Sequence, residues 1–199
     1  MSDSTHSKLH VHGHSPSDLI SRVSDAATFR NGMTSTQASG IERAMQLASF
    51  SSSELTAEHL VEKFFHLFDD LFFERSLRYV VTPKIERGTS AVNTCCKGLA
   101  HGGRLPVMLD DTSSSLKAGV LGRLLHDMIH AYLWRYGFRS FTYDKLFEHG
   151  WGFSGHGAAW QDIAAVLEKS MKEHELPLDL GRNEALRTEF ESFARKMDA

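Results

Sequence analysis

Cysteine is nearly absent from this sequence, and the two that occur, Cys95 and Cys96, are adjacent. Neighbouring cysteines bond to each other only under strain, so the chain has no disulfide framework. The pair also lacks the two-residue gap of a C-x-x-C zinc ribbon. Free thiols are typical of a reducing compartment, and we therefore expect an intracellular protein.

Long apolar runs and an excess of one charge are missing as well. No segment approaches the roughly 20 apolar residues of a membrane helix, and the polar N-terminus lacks a signal-peptide core, so we expect no membrane partner. The formal net charge of −3 excludes a global basic field for nucleic acid. With 41% hydrophobic residues, the 199-residue chain can bury one core of ordinary size.

Histidine, by contrast, is plentiful, with twelve residues. His126 and His130 lie in Leu121–Leu133, an apolar-periodic segment that predicts a helix. Residues four apart share a helix face one turn apart, so both imidazoles can reach one metal ion. Roughly one H-x-x-x-H pair is expected by chance, and two others fall in the polar residues 1–17. The apolar context favours the pair at 126 and 130.

Composition and apolar periods divide the chain into three parts. Residues 1–51 are predicted as a flexible, low-complexity arm with short helices and a linker at 31–40, residues 52–175 as the main domain, and 176–199 as a C-terminal helix. We predict helices at Asp18–Arg30, Ile41–Phe50, Glu54–Phe73, Leu116–Tyr136, Gly157–Met171 and Glu184–Met197, the last one amphipathic around Leu186, Phe190 and Phe193. We predict strands at Leu77–Thr82, Ala91–Leu99 and Leu105–Leu109, with Pro83 ending the first. The arm carries the histidines His6, His10, His12 and His14, which can chelate a metal, although a solvated tail is the favoured interpretation.

A zinc hydrolase site needs a third protein ligand and an open position for water. The downstream candidates are Glu148, His149 and His156, with His174 more remote. Glycines flank His156 on both sides, and glycine lets backbone approach a crowded site closely.

Two segments together resemble the SprT-like (Spartan-type) metalloprotease family. Leu125–Tyr132 (LHDMIHAY) and Gly155–Trp160 (GHGAAW) are similar to the family's H-E-M-I-H-A-Y and G-H-G-x-x-aromatic patterns. Phe68–Phe73 (FDDLFF) is similar to its F-N-x-x-x-F helix. The resemblance implies an α+β, zincin-like fold, with helices packed on a small antiparallel sheet. It also implies Zn²⁺ held by His126, His130 and His156, with Asp127 at the position of the catalytic acid.

The sequence departs from the family pattern in three ways. Asp127 replaces a Glu, which withdraws the carboxylate by roughly 1.5 Å, the length of one C–C bond. The segment between His130 and His156 is long for the family, which leaves His149 as a rival third ligand. No cysteine follows Cys96, so we expect no C-terminal zinc ribbon of the kind that binds DNA.

The family resemblance implies a zinc-dependent metallopeptidase with a protein substrate, acting on DNA-bound or DNA-crosslinked proteins in the nucleus. The alternative is a catalytically weak or inactive zinc domain that binds DNA or protein, and a third interpretation is a zinc hydrolase of small molecules. Basic residues for a DNA contact are Lys84, Arg87, Lys97 and Arg104, with Arg135, Arg139 and Lys145 nearer the motif. DNA binding is an inference from the family, since no stretch is strongly basic.

Overall fold

The structure is a computed structural model that describes residues 13–29, 32–49, 56–87, 104–109, 116–137 and 150–198. These parts contain six helices, α1 (Pro16–Ala27), α2 (Ser35–Ser49), α3 (Ala57–Phe72), α4 (Leu116–Tyr136), α5 (Ala158–Glu173) and α6 (Arg182–Met197), and two strands, β1 (Thr82–Arg87) and β2 (Arg104–Leu109). The described protein is therefore mostly helical, with a small sheet. None of its described helices is both long and apolar enough to cross a membrane.

Helices α3 and α4 pack against each other at the centre of the core. Helix α3 begins after Thr56, whose hydroxyl accepts a hydrogen bond from the backbone N–H of His59 at 3.3 Å. Its aromatic side chains are buried, as their helical period predicts. Helix α4 has the predicted bounds, Leu116–Tyr136, and Gly137 follows it.

The segment predicted as the first strand, Leu77–Thr82, is a turn over most of its length, so that prediction is wrong. The buried carboxylate of Asp69 accepts hydrogen bonds from the backbone N–H groups of Leu77 (2.9 Å) and Arg78 (3.0 Å). These bonds give the backbone an alternative to a strand ladder. Strand β1 starts only at the last residue of the predicted segment, and Pro83 is its second residue rather than its end.

Strands β1 and β2 pair in parallel, with Ile85 opposite Val107, so the expected antiparallel arrangement is wrong for this pair. Parallel neighbours need a crossover of a dozen or more residues, and residues 88–103 between the strands are long enough to supply it. The strand predicted at Ala91–Leu99 lies outside the described residues.

Helix α1 belongs to the packed domain, which corrects the prediction of a flexible arm for these residues. Leu19, Val23 and Ala27, spaced four residues apart, are buried and face α5. The hydroxyl of Ser170 on α5 donates to the carbonyl of Ala27 at 2.9 Å. A capping box between Ser15 and the third helical residue fixes the start of α1.

Helix α2 begins inside the segment predicted as a linker, so that prediction is wrong from Ser35 onward. Thr34 and Gln37 form reciprocal hydrogen bonds, since Thr34 Oγ1 accepts from the Gln37 N–H (3.1 Å) and Gln37 Oε1 accepts from the Thr34 N–H (3.0 Å). This is a capping box, which satisfies two backbone donors at a helix start. Gln37 Nε2 also donates to the carbonyl of Leu71 on α3 at 3.1 Å, which ties α2 to the core.

Helix α6 packs in a different orientation from the one that its apolar pattern suggests. Leu186, Phe190 and Phe193 are 43%, 65% and 38% exposed. The side chains that α6 buries are Ala185 and Glu189. A carboxylate therefore faces inward at the place where α6 meets the site.

Candidate metal centre

Helix α4 carries two histidines that lie inside the protein. His126 and His130 are buried, and nearly every residue of the helix between Val120 and Leu133 is buried as well. A helix surrounded in this way has little room for polar side chains unless they have partners. The two Nε2 atoms lie 3.2 Å apart, which confirms that the four-residue spacing directs both rings to one point.

The loop before α5 brings the third histidine to the same point. His156 Nε2 lies 3.0 Å from His130 Nε2 and 3.2 Å from His126 Nε2. The flanking glycines serve the loop, since Gly155 has a positive φ of 86°. At Gly157 a Cβ would lie 2.5 Å from the backbone nitrogen of Gly152, so only glycine fits there without a shift.

The three Nε2 atoms form a triangle whose dimensions fit a metal ion. Zinc binds histidine nitrogen at about 2.0–2.1 Å with tetrahedral angles, which places two ligand nitrogens roughly 3.3 Å apart. The observed separations of 3.0, 3.2 and 3.2 Å agree within a few tenths of an ångström. Among the described residues, this cluster of His126, His130 and His156 can hold a metal ion.

The hydrogen bonds of the Nδ1 atoms indicate whether the Nε2 atoms of the same rings are protonated. His126 Nδ1 lies 2.8 Å from the carbonyl oxygen of Leu180, which can only accept, so Nδ1 carries the proton. His156 Nδ1 lies 2.9 Å from the oxygen of Ser154, whose hydroxyl donates to Glu189 at 2.6 Å. That oxygen therefore accepts from His156 Nδ1–H. Both rings then direct an unprotonated Nε2 at the centre of the triangle, an arrangement that a bound cation stabilises.

All three imidazoles stay neutral at physiological pH. Burial, aided by the positive charge of Arg123, lowers the pKa of His126 to about 3. Burial also lowers the pKa of His156 to about 4 and holds the pKa of His130 well below its usual value. Protons and metal ions compete for the same lone pairs of the imidazole nitrogens. The lowered pKa values therefore keep these lone pairs available for a metal ion.

Trp160, fully buried on the first turn of α5, forms one wall of the site. Its ring centroid lies 4.6 Å from that of His126 and 4.9 Å from that of His156, and it stacks on His130 at 5.7 Å. Packing against one rigid indole restricts the rotation of all three imidazoles. The aromatic residue of the G-H-G-x-x-aromatic segment thus contacts each of the three histidines.

The structure places the predicted catalytic acid in an ion pair. Asp127 is fully buried, and its Oδ2 accepts a hydrogen bond from Arg123 Nε at 3.1 Å, one helical turn earlier. Arg123 is 29% exposed at its side chain, so it connects the buried acid with the surface. Sequence reasoning did not assign Arg123 a role, although its four-residue spacing from Asp127 is a signal for such a pair.

Sequence reasoning also missed Ser154 and Glu189. The carboxylate of Glu189 on α6 accepts hydrogen bonds from the N–H of Phe153, the N–H of Ser154 (2.9 Å) and the Ser154 hydroxyl (2.6 Å). The hydroxyl in turn contacts His156, so a carboxylate lies one side chain away from a candidate ligand. Ser154 is only two residues before His156, but nothing in the sequence links position 189 to this loop.

The remaining candidates lie elsewhere or outside the described residues. His174 is at the far end of α5, where its ring contacts Phe29 at a centroid distance of 5.4 Å. Glu148 and His149, and the basic residues Lys97, Arg139 and Lys145, lie outside the described residues. A groove of about 480 Å³ runs between α3 and β1, and its lining, which includes Arg78 and Lys84, contains none of the three histidines.

Taken together, fold and site define a mostly helical protein with a buried three-histidine cluster that can hold a metal ion. Comparisons with protein-family models, with curated proteins and with solved structures give no match for the chain.

Proposed function

We propose that the protein is a zinc-dependent metallopeptidase of the SprT-like type. The observation that carries the proposal is the convergence of the Nε2 atoms of His126, His130 and His156 within 3.0–3.2 Å of one another. Three neutral imidazoles suit zinc, and three protein ligands leave a fourth position for water, as in catalytic zinc sites. A closed structural site would use four protein ligands.

When bound, zinc supplies a Lewis acid that polarises the scissile carbonyl and lowers the pKa of a water molecule. Asp127 is the residue that takes the proton of the attacking water and passes it to the leaving amine. The ion pair places the positive charge of Arg123 beside the Asp127 carboxylate. Trp160 and the apolar face of α4 keep the histidines in a dry environment, which strengthens their electrostatic interactions.

A second candidate function is a zinc domain that binds a partner without cutting it. The ion pair favours this candidate, because Arg123 Nε holds one carboxylate oxygen of a fully buried Asp127. A general base must come within roughly 2.6–3.2 Å of the proton that it abstracts, and an aspartate reaches less far than a glutamate.

The test compares zinc-loaded wild type with Asp127→Glu and Asp127→Asn on an unfolded protein substrate, with His130→Ala as the blank. Cleavage by the wild type that is lost in Asp127→Asn supports the peptidase. No cleavage by wild type that binds one zinc, together with no gain in Asp127→Glu, would favour the binding domain. Zinc content of each variant is measured first, so that loss of metal is not mistaken for loss of the base.

The substrate class and the location in the cell are proposals that rest on the family resemblance. We propose DNA-bound proteins as substrates and the nucleus as the compartment. The corresponding measurement is cleavage of a DNA-binding protein with and without single-stranded DNA. Cleavage that is independent of DNA would leave a general metallopeptidase and remove DNA as a partner.

A further inference from the structure

Glu189 is a buried acid that the proposed chemistry does not use. Only 8% of its surface is exposed, and it lies on α6, outside the segment that resembles the SprT-like family. A buried carboxylate is costly unless hydrogen bonds compensate it. Among the described residues, Glu189 receives three, all from Phe153 and Ser154 in the loop that leads to His156.

The direction of these hydrogen bonds fixes the protonation pattern of His156. The Ser154 hydroxyl donates to the Glu189 carboxylate at 2.6 Å, so its proton points to that acid. The lone pair of the Ser154 oxygen then faces His156 Nδ1 at 2.9 Å and requires a proton there. With Nδ1 protonated, His156 presents the lone pair of Nε2 to the other two histidines, as a metal ligand must.

The loop backbone is shaped around the same carboxylate. Gly152 has a φ of +78°, and a Cβ at this position would lie 2.6 Å from the Glu189 carboxylate. A side chain at residue 152 would therefore displace the acid from the two N–H groups that follow. Glycine at this position lets the loop approach Glu189.

We infer that Glu189 is a positioning residue of the metal centre, and that α6 sets the metal affinity through the Glu189–Ser154–His156 chain of hydrogen bonds. The inference rests on the proposed zinc binding and adds α6 to that site. The buried side chains of α6 are Ala185 and Glu189, so the contact of Glu189 with the loop also holds the helix against the domain. Docking of α6 and metal binding therefore stabilise each other by the same factor.

An amide cannot replace the carboxylate in this arrangement. In Glu189→Gln one oxygen remains to accept from three donors, and the new NH₂ group can donate to the Ser154 oxygen. The Ser154 hydroxyl is then able to donate to His156 Nδ1. That reversal moves the imidazole proton to Nε2, where it blocks the metal.

The experiment measures zinc affinity by competition with a chromophoric chelator for wild type, Glu189→Gln and the control Glu191→Gln. Glu191 lies on the same helix with its side chain 61% exposed, so its substitution removes the same charge away from the site. We expect Glu189→Gln to bind zinc about 10–100-fold more weakly and Glu191→Gln to bind like wild type. Equal affinity of all three proteins would overturn the inference.

A second readout needs no metal and separates positioning from a purely structural role. Nitrogen NMR of the histidine rings in the zinc-free protein should show the Nδ1–H form of His156 in wild type and in Glu191→Gln. Glu189→Gln should shift it towards Nε2–H, and an unchanged tautomer would overturn the inference.

If Glu189→Gln does not fold, the zinc affinity of Ser154→Ala is measured in its place. This smaller change removes the oxygen between the acid and His156, so we expect it to weaken zinc binding as well. Unchanged affinity would count against the chain of hydrogen bonds. A wild type that binds no zinc would overturn the proposed function, whereas a normal wild type with an unaffected Ser154→Ala would overturn only the role of α6.

Discussion

Gly122 lies one helical turn before His126, at a place where another segment passes very close to α4. A Cβ at this position would lie 2.3 Å from the carbonyl oxygen of Asp179. Ordinary carbon–oxygen contacts are about 3.3 Å, so Gly122→Ala must move the segment by roughly 1 Å. The same segment supplies the Leu180 carbonyl, which accepts from His126 Nδ1 at 2.8 Å. A displacement of that size breaks the hydrogen bond, since contacts beyond about 3.5 Å no longer qualify.

The expected cost of Gly122→Ala follows from three effects. Overpacking costs about 1–3 kcal/mol, and the lost hydrogen bond about 1 kcal/mol. The better helix propensity of alanine returns about 1 kcal/mol. We therefore expect the free energy of unfolding to fall by about 1–3 kcal/mol, and zinc affinity to fall about 10–100-fold because His126 loses the group that orients it.

Urea unfolding with zinc and with chelator, together with a chelator competition titration, measures both effects of Gly122→Ala. The matched control is Gly119→Ala, at an exposed position of the same helix. We expect Gly119→Ala to be stabilising by about 0.5–1 kcal/mol without changing zinc affinity. A folded Gly122→Ala protein with wild-type affinity would refute the argument that the Leu180 carbonyl orients His126.

Three further predictions concern the metal-free protein, the wall of the site and the start of α2. Between pH 6.5 and about 4 the unfolded chain protonates His126 and His156 while the folded one does not, so the free energy of unfolding of metal-free protein should fall on acidification. Protonation of His126 in the unfolded chain should alone lower the free energy of unfolding by about 2 kcal/mol at pH 5 relative to neutral pH. A pH series of urea unfolding that is flat over this range would contradict the pKa shift. Zinc should change the fluorescence of wild type but hardly that of Trp160→Phe, since the Trp160 indole lies against all three histidines; an equal change in both would show that Trp160 is not the reporter. Thr34→Ala should lower the free energy of unfolding by about 0.5–2 kcal/mol through loss of the capping box, and thermal unfolding with no shift would show that α2 does not depend on it.

Local patterns in the sequence predicted the presence of the helices and the histidine pair on α4, whereas the choice of His156 came from the family resemblance. The bounds of α4 agree with the prediction because a continuous apolar period ends at Gly137. Two candidate ligands share one helix face by spacing alone, and glycines mark the loop that carries His156. These signals are local, so they can be recognised in the sequence without knowledge of the tertiary structure.

The errors arise where a distant or opposing partner decides the structure. The turn at Leu77 depends on Asp69, a buried acid eight residues earlier, which overrides a run with high strand propensity. The capping pair Thr34 and Gln37 was present in the sequence but was outweighed by the Ser- and Gly-rich composition around it. For α6 the apolar period indicated the wrong face, because the buried contact is a carboxylate.

Two carboxylates near the site differ in what they can do for the histidines. Asp127 occupies the position that the family resemblance gives to the catalytic acid, and its carboxylate forms an ion pair with Arg123. Glu189, on a helix that the resemblance does not include, is linked to His156 through Ser154. If Asp127 is the base, Asp127→Asn should abolish peptide cleavage and leave zinc affinity nearly unchanged, because the three histidines and not Asp127 form the candidate metal cluster. Glu189→Gln should bind zinc more weakly. At saturating zinc, its loaded form should cleave peptides at a nearly normal rate. The two variants therefore separate proton transfer from ligand positioning, and identical behaviour of both would show that the acids act as one network.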